Sequence, residues 1–169
     1  MNLHTERLTL RPFSPPDEDA FIIGLEDREL RRMYGFPAEL SEDTARRIFA
    51  HFSELSIALS LIRNEDKALI GFLLDVPAEL PEHMLSTLPE GGRTLAFATF
   101  APYQRQEYMR EAIQAVMEQH TKNKDAAYLH GGHFPFNEPS QRLLAGLGFT
   151  LYGRHTVGTR DVIDEIRML

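Results

Sequence analysis

Two histidines separated by two glycines, His130-Gly131-Gly132-His133, are the most obvious candidates for chemistry in this sequence. An ordinary imidazole titrates near neutrality, so His133 can act as a general base that takes a proton from a nucleophile. The plainer reading of His133 is a solvent-facing histidine on a loop. As a metal site the pair supplies two nitrogens, short of the usual zinc ligand set, and no convincing third ligand stands nearby, so no metal is expected. Gly131-Gly132 is too short for a dinucleotide fingerprint. There is no Gly-x-Ser-x-Gly and no Walker loop, which leaves hydrolase and nucleotide-kinase chemistry without support. The chain has no cysteine. Disulfides, thiolate metal sites and a cysteine nucleophile are therefore excluded.

A second stretch suits anion binding. Leu95 to Phe100 is an apolar run that reads as a buried strand. From Ala101 to Met117 the period changes: Met109, Ala112, Ile113, Val116 and Met117 recur at three and four residues, the mark of one apolar helix face. A strand, a short turn and a helix in that order gather unpaired N–H groups and the positive end of a helix dipole at one point.

The elements that must position these residues follow from local signals. Leu8 to Phe13 alternates and reads as an edge strand because of Pro12. Ser14-Pro15-Pro16-Asp17 and Ser41-Glu42-Asp43-Thr44 start helices, and Glu26 to Tyr34 forms another, ended by Gly35. Ser56–Ile62 and Ala68–Val76 are antiparallel strands about an Asn64-Glu65-Asp66 turn, with a bulge expected at Gly71. Residues 77–92 form a long irregular connection. Ala126 to His130 begins a strand that Gly131-Gly132 interrupts or bends, and it lies parallel to Leu95–Phe100 through the helix between them. Asn137-Glu138-Pro139-Ser140 opens a helix on the Asn137 cap, Gly148 closes it, and two strands meet at Gly158-Thr159-Arg160.

The chain has 169 residues, 43% apolar and 25% charged, which suits one domain with its own core. A net charge of -7 argues against a nucleic-acid partner and is compatible with a cationic acceptor such as an amine. No run is long enough to span a membrane and the N-terminus lacks a signal pattern, so a cytoplasmic protein is expected.

This layout resembles the GNAT family of acetyl-CoA-dependent N-acetyltransferases. Thr5 to Phe13 is similar to the opening strand of the branch that acetylates ribosomal-protein N-termini. Pro102-Tyr103-Gln104 with Met109 to Ile113 is similar to the family's coenzyme loop and helix. Asn137-Glu138-Pro139-Ser140, with Leu143, Leu144 and Gly148-Phe149, is similar to that branch's second coenzyme motif. The resemblance implies a single α/β (α+β) domain over residues 1–169. Its central sheet would be mixed, mostly antiparallel, of about seven strands flanked by helices. Acetyl-CoA would enter where the Leu95 and Tyr128 strands diverge. The pantetheine would meet Phe100 and Ala101. The pyrophosphate would meet the backbone of Gln104, Arg105, Gln106, Glu107, Tyr108 and Met109, and the coenzyme's far arm Asn137 and Ser140. A backbone N–H on the Leu95 strand would serve the thioester oxyanion. The acceptor would be an amine, either a small molecule or a protein N-terminus. Pairing as a homodimer stays open.

Two positions depart from the family. Its phosphate loop reads Gln/Arg-x-x-Gly-x-Gly/Ala, and here Glu107 and Met109 stand where small residues are expected. A carboxylate about 6 Å from a phosphate repels it by about 1–3 kcal/mol. Glu107→Gly is therefore expected to tighten acetyl-CoA binding, at a cost of about 0.5–1 kcal/mol to the helix. Many relatives carry a Glu base on the strand before this loop, near Thr94, and Leu95 to Phe100 holds no carboxylate. These departures frame the alternative: a non-catalytic relative that keeps the fold for binding a ligand or a protein.

Overall fold

The computed structural model describes residues 1–169. Its strands are β1 (Leu3–His4), β2 (Leu8–Pro12), β3 (Ala58–Arg63), β4 (Leu69–Pro77), β5 (Gly92–Thr99), β6 (Tyr128–His133), β7 (Thr150–Val157) and β8 (Arg160–Met168). Its helices are α1 (Glu18–Gly24), α2 (Arg28–Tyr34), α3 (Glu42–Glu54), α4 (Glu82–Leu85), α5 (Tyr108–Asn123) and α6 (Glu138–Gly146). The strands form one mixed, mostly antiparallel sheet of eight, in the order β1-β2-β3-β4-β5-β6-β8-β7. The chain divides into two compact units: Met1–Leu74 with Phe97–Ala115, and Asp75–Ala96 with Val116–Leu169.

The first unit is built on an aromatic core. Phe13, Phe21, Phe49, Phe52, Phe72 and Phe100 are all buried. Phe13 meets Phe21 edge to face at 5.5 Å, and Phe52 meets Phe72 the same way at 5.3 Å, the favoured geometry for ring quadrupoles. Helix α3 forms because Ser41 accepts the Thr44 N–H while Glu42 and Asp43 sit at its positive end. Its Ala45, Phe49 and Phe52 fall at helical spacing on the buried side. The buried Arg31 guanidinium donates to the carbonyls of Leu25, Glu26 and Ala38, closing the turn after α1. Strand β2 is not the edge that Pro12 suggested: β1 pairs with its Thr9 and Leu10, and Pro12 lies opposite Leu59 of β3. The β3–β4 register does shift beside Gly71, between Leu61 and Ile62. A side chain at Gly71 would overlap the Ala98 carbonyl of β5, so glycine is what lets these strands close up.

In the second unit β6 lies between β5, to which it is parallel, and β8, to which it is antiparallel. Gly131-Gly132 neither interrupts nor ends β6, which pairs continuously with β8 from Tyr128 to His133. A Cβ at Gly131 would press on the Leu144 side chain of α6, so this glycine gives the helix room to pack. Helix α6 ends in a Schellman motif. Gly148 is left-handed (φ 82), its N–H donates to Ala145, and the Phe149 N–H donates to Leu144. The connection before β5 is less irregular than its composition implied, because it holds α4. There Met84 and Leu80 pack with Tyr128 and Ile166.

Candidate functional site

The turn into α5 has an unusual backbone. Arg105 (φ 59) and Glu107 (φ 63) are both left-handed, a conformation that side chains other than Gly, Asn and Asp rarely adopt. Gln106 lies between them with its side chain returning to the Pro102 carbonyl at 3.1 Å. Backbone that alternates in hand turns successive N–H groups toward one side and makes a concavity for an anion. The N–H groups of the first turn of α5 add to it, since a helix leaves them without intrahelical acceptors. The first such bond here is Glu111 N–H to the Glu107 carbonyl, 3.1 Å. Gln104, Arg105, Gln106 and Glu107 are all exposed.

Side chains hold the turn. Glu111 accepts from Arg7 Nε (2.6 Å), from the Arg7 N–H (2.9 Å) and from the Thr5 hydroxyl. Burial pushes the Glu111 carboxyl up, and these donors outweigh it, so its pKa lies below the usual range. Arg7 also donates to the Gln106 carbonyl (2.9 Å) and lies 4.6 Å from the centre of the Tyr108 ring. The Glu107 carboxylate accepts from Arg110 Nε, so a guanidinium partly offsets its charge although the side chain stays exposed. Nothing local in the sequence marked Arg7 and Glu111 as partners, because 104 residues separate them.

Phe100 and Ala101 are placed differently from each other. The Phe100 side chain is in the core, its N–H donates to Ile70 and its carbonyl accepts from Tyr103, so both backbone groups are engaged within the chain. Ala101 is exposed.

In the second unit Asn137 caps α6: its Oδ1 accepts the Ser140 N–H at 3.2 Å, and Asn137 itself is buried. His133 is not on a loop. It ends β6 with a side chain only 1% exposed. Its Nδ1 lies 3.0 Å from the Phe134 carbonyl, which can only accept, and its Nε2 lies 3.1 Å from Glu165 Oε1. Both ring nitrogens are thus taken, leaving none open to an acceptor. The other oxygen of Glu165 is buried without a hydrogen-bond partner.

His130 belongs to a different group. Thr94 Oγ1 lies 2.9 Å from His130 Nδ1, and His130 Nε2 lies 3.0 Å from Asp164 Oδ1. Asp164 Oδ2 lies 2.8 Å from His155 Nδ1. Asp164 is fully buried and His130 is 3% exposed. Burial drives the Asp164 carboxyl up, but the bonds from His130 and His155 outweigh it and hold the pKa below the usual carboxylate range. The sequence signal that could have found Asp164 is a pair of carboxylates, Asp164 and Glu165, set amid Val162, Ile163 and Ile166. The partners of Asp164 lie on other strands, where no local pattern reaches. No cluster of His, Asp or Glu able to hold a metal ion is present. A groove of about 590 Å³ lined by Leu88, Tyr152, Ile166, Arg167 and others runs beside β7 and β8 and contains none of these residues.

A family model described as an acetyltransferase (GNAT) domain matches residues 7–150. No curated protein matches the sequence. Among solved structures, a GNAT-family acetyltransferase from Bacillus anthracis superposes with a TM-score of 0.82 at 17% identity, covering 99% of this chain and 98% of its own. An acetyltransferase from Salmonella typhimurium that modifies the N-terminal serine of ribosomal protein L7/L12 gives 0.76 at 15% identity, over 100% and 99%. RimL, a ribosomal L7/L12 α-N-protein acetyltransferase in complex with coenzyme A, gives 0.76 at 16% identity, over 100% and 98%. At these identities the likeness is one of fold.

Proposed function

This chain belongs to the GNAT family of acetyltransferases, and from that premise we propose that it transfers an acetyl group from acetyl-CoA to an amine. The observation that carries the coenzyme reading is the left-handed backbone at Arg105 and Glu107. On this reading the left-handed turn at the head of α5 cradles an anion even where the family's glycines are gone. The backbone N–H groups of residues 105–109 then hold the pyrophosphate, and the α5 dipole reinforces them, whereas the Gln104 N–H donates to Ala101. Arg7 and Glu111 fix the turn from behind. The start of α6, with Asn137 and Ser140, meets the coenzyme's far arm. Ala101 lies along the pantetheine, whereas Phe100 contributes by packing.

The pairing of β5 with β6 favours the same reading. It covers only Gly92–Thr94 against Tyr128–His130, while β5 continues to Thr99. The rest of that β5 edge has no register partner in β6. Backbone groups there are available to a pantetheine amide and to the thioester oxygen. When bound, acetyl-CoA supplies the activated acyl group. The chain's task is to orient it, polarise its carbonyl and accept a proton from the amine.

The acceptor class is a protein N-terminus or a small amine. The likeness to two enzymes of ribosomal L7/L12 supports the first. The test is incubation with acetyl-CoA and two probes, a peptide with a free N-terminal serine and a polyamine, read by mass spectrometry. An acetyl group on the peptide α-amine is the expected result. Acetylation of the polyamine alone moves the acceptor to the small-molecule class, and modification of neither overturns the amine reading.

A further inference from the structure

Resting on that acetyl-transfer reading, we propose that Thr94 and His130 form the path that takes the acceptor's proton, backed by Asp164 and His155, with the Thr94 hydroxyl as the group that meets the amine. The four residues come from β5, β6, β8 and β7, which are consecutive neighbours in the sheet. The hydrogen-bond directions are fixed by elimination. The Glu79 N–H donates to Thr94 Oγ1 at 3.1 Å, so the hydroxyl's own hydrogen is free to point elsewhere. Asp164, as a carboxylate, only accepts, so His130 must carry its proton on Nε2. His130 Nδ1 then offers a lone pair, and the Thr94 O–H donates to it. His155 donates its Nδ1–H to the second Asp164 oxygen.

This is the order of groups that makes a hydroxyl basic: hydroxyl, imidazole, buried carboxylate. Thr94 is partly exposed and His155 is 15% exposed, while the links between them are sealed from solvent. Burying a carboxylate and two imidazoles is costly where apolar residues would pack as well. The position matters too. Thr94–His130 is the last register pair of β5 and β6, so this hydroxyl stands where the free β5 edge begins.

An ammonium acceptor loses two protons in becoming an amide. One N–H bond breaks toward Thr94 Oγ1 while the Thr94 O–H bond breaks toward His130 Nδ1, and the imidazolium rests against Asp164. The amine's electron pair forms the C–N bond, the C–S bond breaks with its pair on sulfur, and the second proton ends on that sulfur. His130 regains neutrality by returning its Nδ1 proton through the partly exposed Thr94 hydroxyl to solvent once the amide has left, while Asp164 stays a carboxylate held by the His155 N–H. His130 and Asp164 are positioning residues that act through Thr94.

Thr94→Val removes the hydroxyl at nearly constant shape, and Thr94→Ser keeps it. Thiol release from acetyl-CoA is followed with the N-terminal serine peptide as acceptor, and acetyl-CoA affinity is measured separately by calorimetry. The expected result for Thr94→Val is a kcat lowered by about a hundredfold, the usual scale for general-base loss. Its acetyl-CoA affinity stays at the wild-type value, and Thr94→Ser retains most of the activity. If the peptide is not a substrate, the same variants are compared on thiol release with water as nucleophile, which makes the same demand for a base. Equal turnover in Thr94→Val and wild type overturns the path and leaves the acetyltransferase reading intact. A loss of kcat matched by an equal loss of acetyl-CoA affinity also overturns it, because Thr94 is then only structural. Failure of the wild-type protein to bind acetyl-CoA overturns the underlying reading and the path together.

Discussion

At the scale of single residues, Glu107 is where sequence and structure part most sharply. From sequence, a glycine there falls early in a helix and costs stability. In the structure Glu107 precedes α5 with φ 63, a backbone that costs a side chain-bearing residue about 1–2 kcal/mol. Against that stands about 0.5–1 kcal/mol of extra chain entropy for glycine. Glu107→Gly is therefore expected to leave stability unchanged or raise it by about 1 kcal/mol, visible as an upward shift of the urea midpoint. Acetyl-CoA binding should tighten as well, because a carboxylate leaves the turn and Arg110 is released toward the phosphates. The gain should be smaller than for an unpaired carboxylate, and it should fade with salt. Calorimetry at low and high ionic strength checks both points. The loop's motif positions were legible in the sequence, but its backbone hand was not. Sign of φ at a non-glycine residue is set by tertiary restraints such as the Arg7 bond to Gln106.

At the scale of elements, local signals carried the helices. Ser41 and Asn137 cap where expected, and Gly148 closes α6, because a cap is written within four or five residues. The run through Gly131-Gly132 failed as a local signal because what uses those positions is remote: Leu144 packs over one glycine and β8 pairs with both. The same remoteness hides the cluster that ties β4, β5 and α5. Asp75 accepts from Arg93 Nε at 2.8 Å and lies 3.0 Å from His120 Nε2, while His120 Nδ1 lies 2.6 Å from Asp125. The bond to Asp75 is the main cause raising the His120 pKa, against burial. Burial pushes Asp75 up, but His120 and Arg93 outweigh it and hold its pKa low. The raised His120 stabilises the fold fully below its unfolded value near 6.5, and that contribution is lost as pH rises through the folded pKa. The depressed Asp75 stabilises above its unfolded value near 3.8, and that is lost as pH falls through its folded pKa. His120→Asn is expected to lower stability at pH 6 and to flatten the decline above it. Denaturation midpoints across pH 5–9 check this, and parallel curves for wild type and variant would contradict it.

At the scale of the whole molecule, the sheet, with eight strands rather than about seven, and the family match over residues 7–150 agree with the class read from the sequence. No helix is long and apolar enough to cross a membrane. The net charge of -7 is compatible with a cationic acceptor, and where that charge steers the acceptor, turnover on an amine falls as salt screens the attraction. An initial rate that does not change with ionic strength would remove charge from the account of acceptor choice. All of this depends on the coenzyme. A ligand of the native state must raise stability, by about 2.7 kcal/mol at a hundredfold excess over its dissociation constant. The most direct measurement is a calorimetric titration of the full chain with acetyl-CoA, paired with a thermal melt in its presence. Saturable one-site binding, a raised Tm, and weakened binding in Arg7→Ala, which unties the Gln106 turn, are the predicted result. No heat and no shift in Tm up to millimolar acetyl-CoA would contradict the claim that this turn cradles a coenzyme diphosphate.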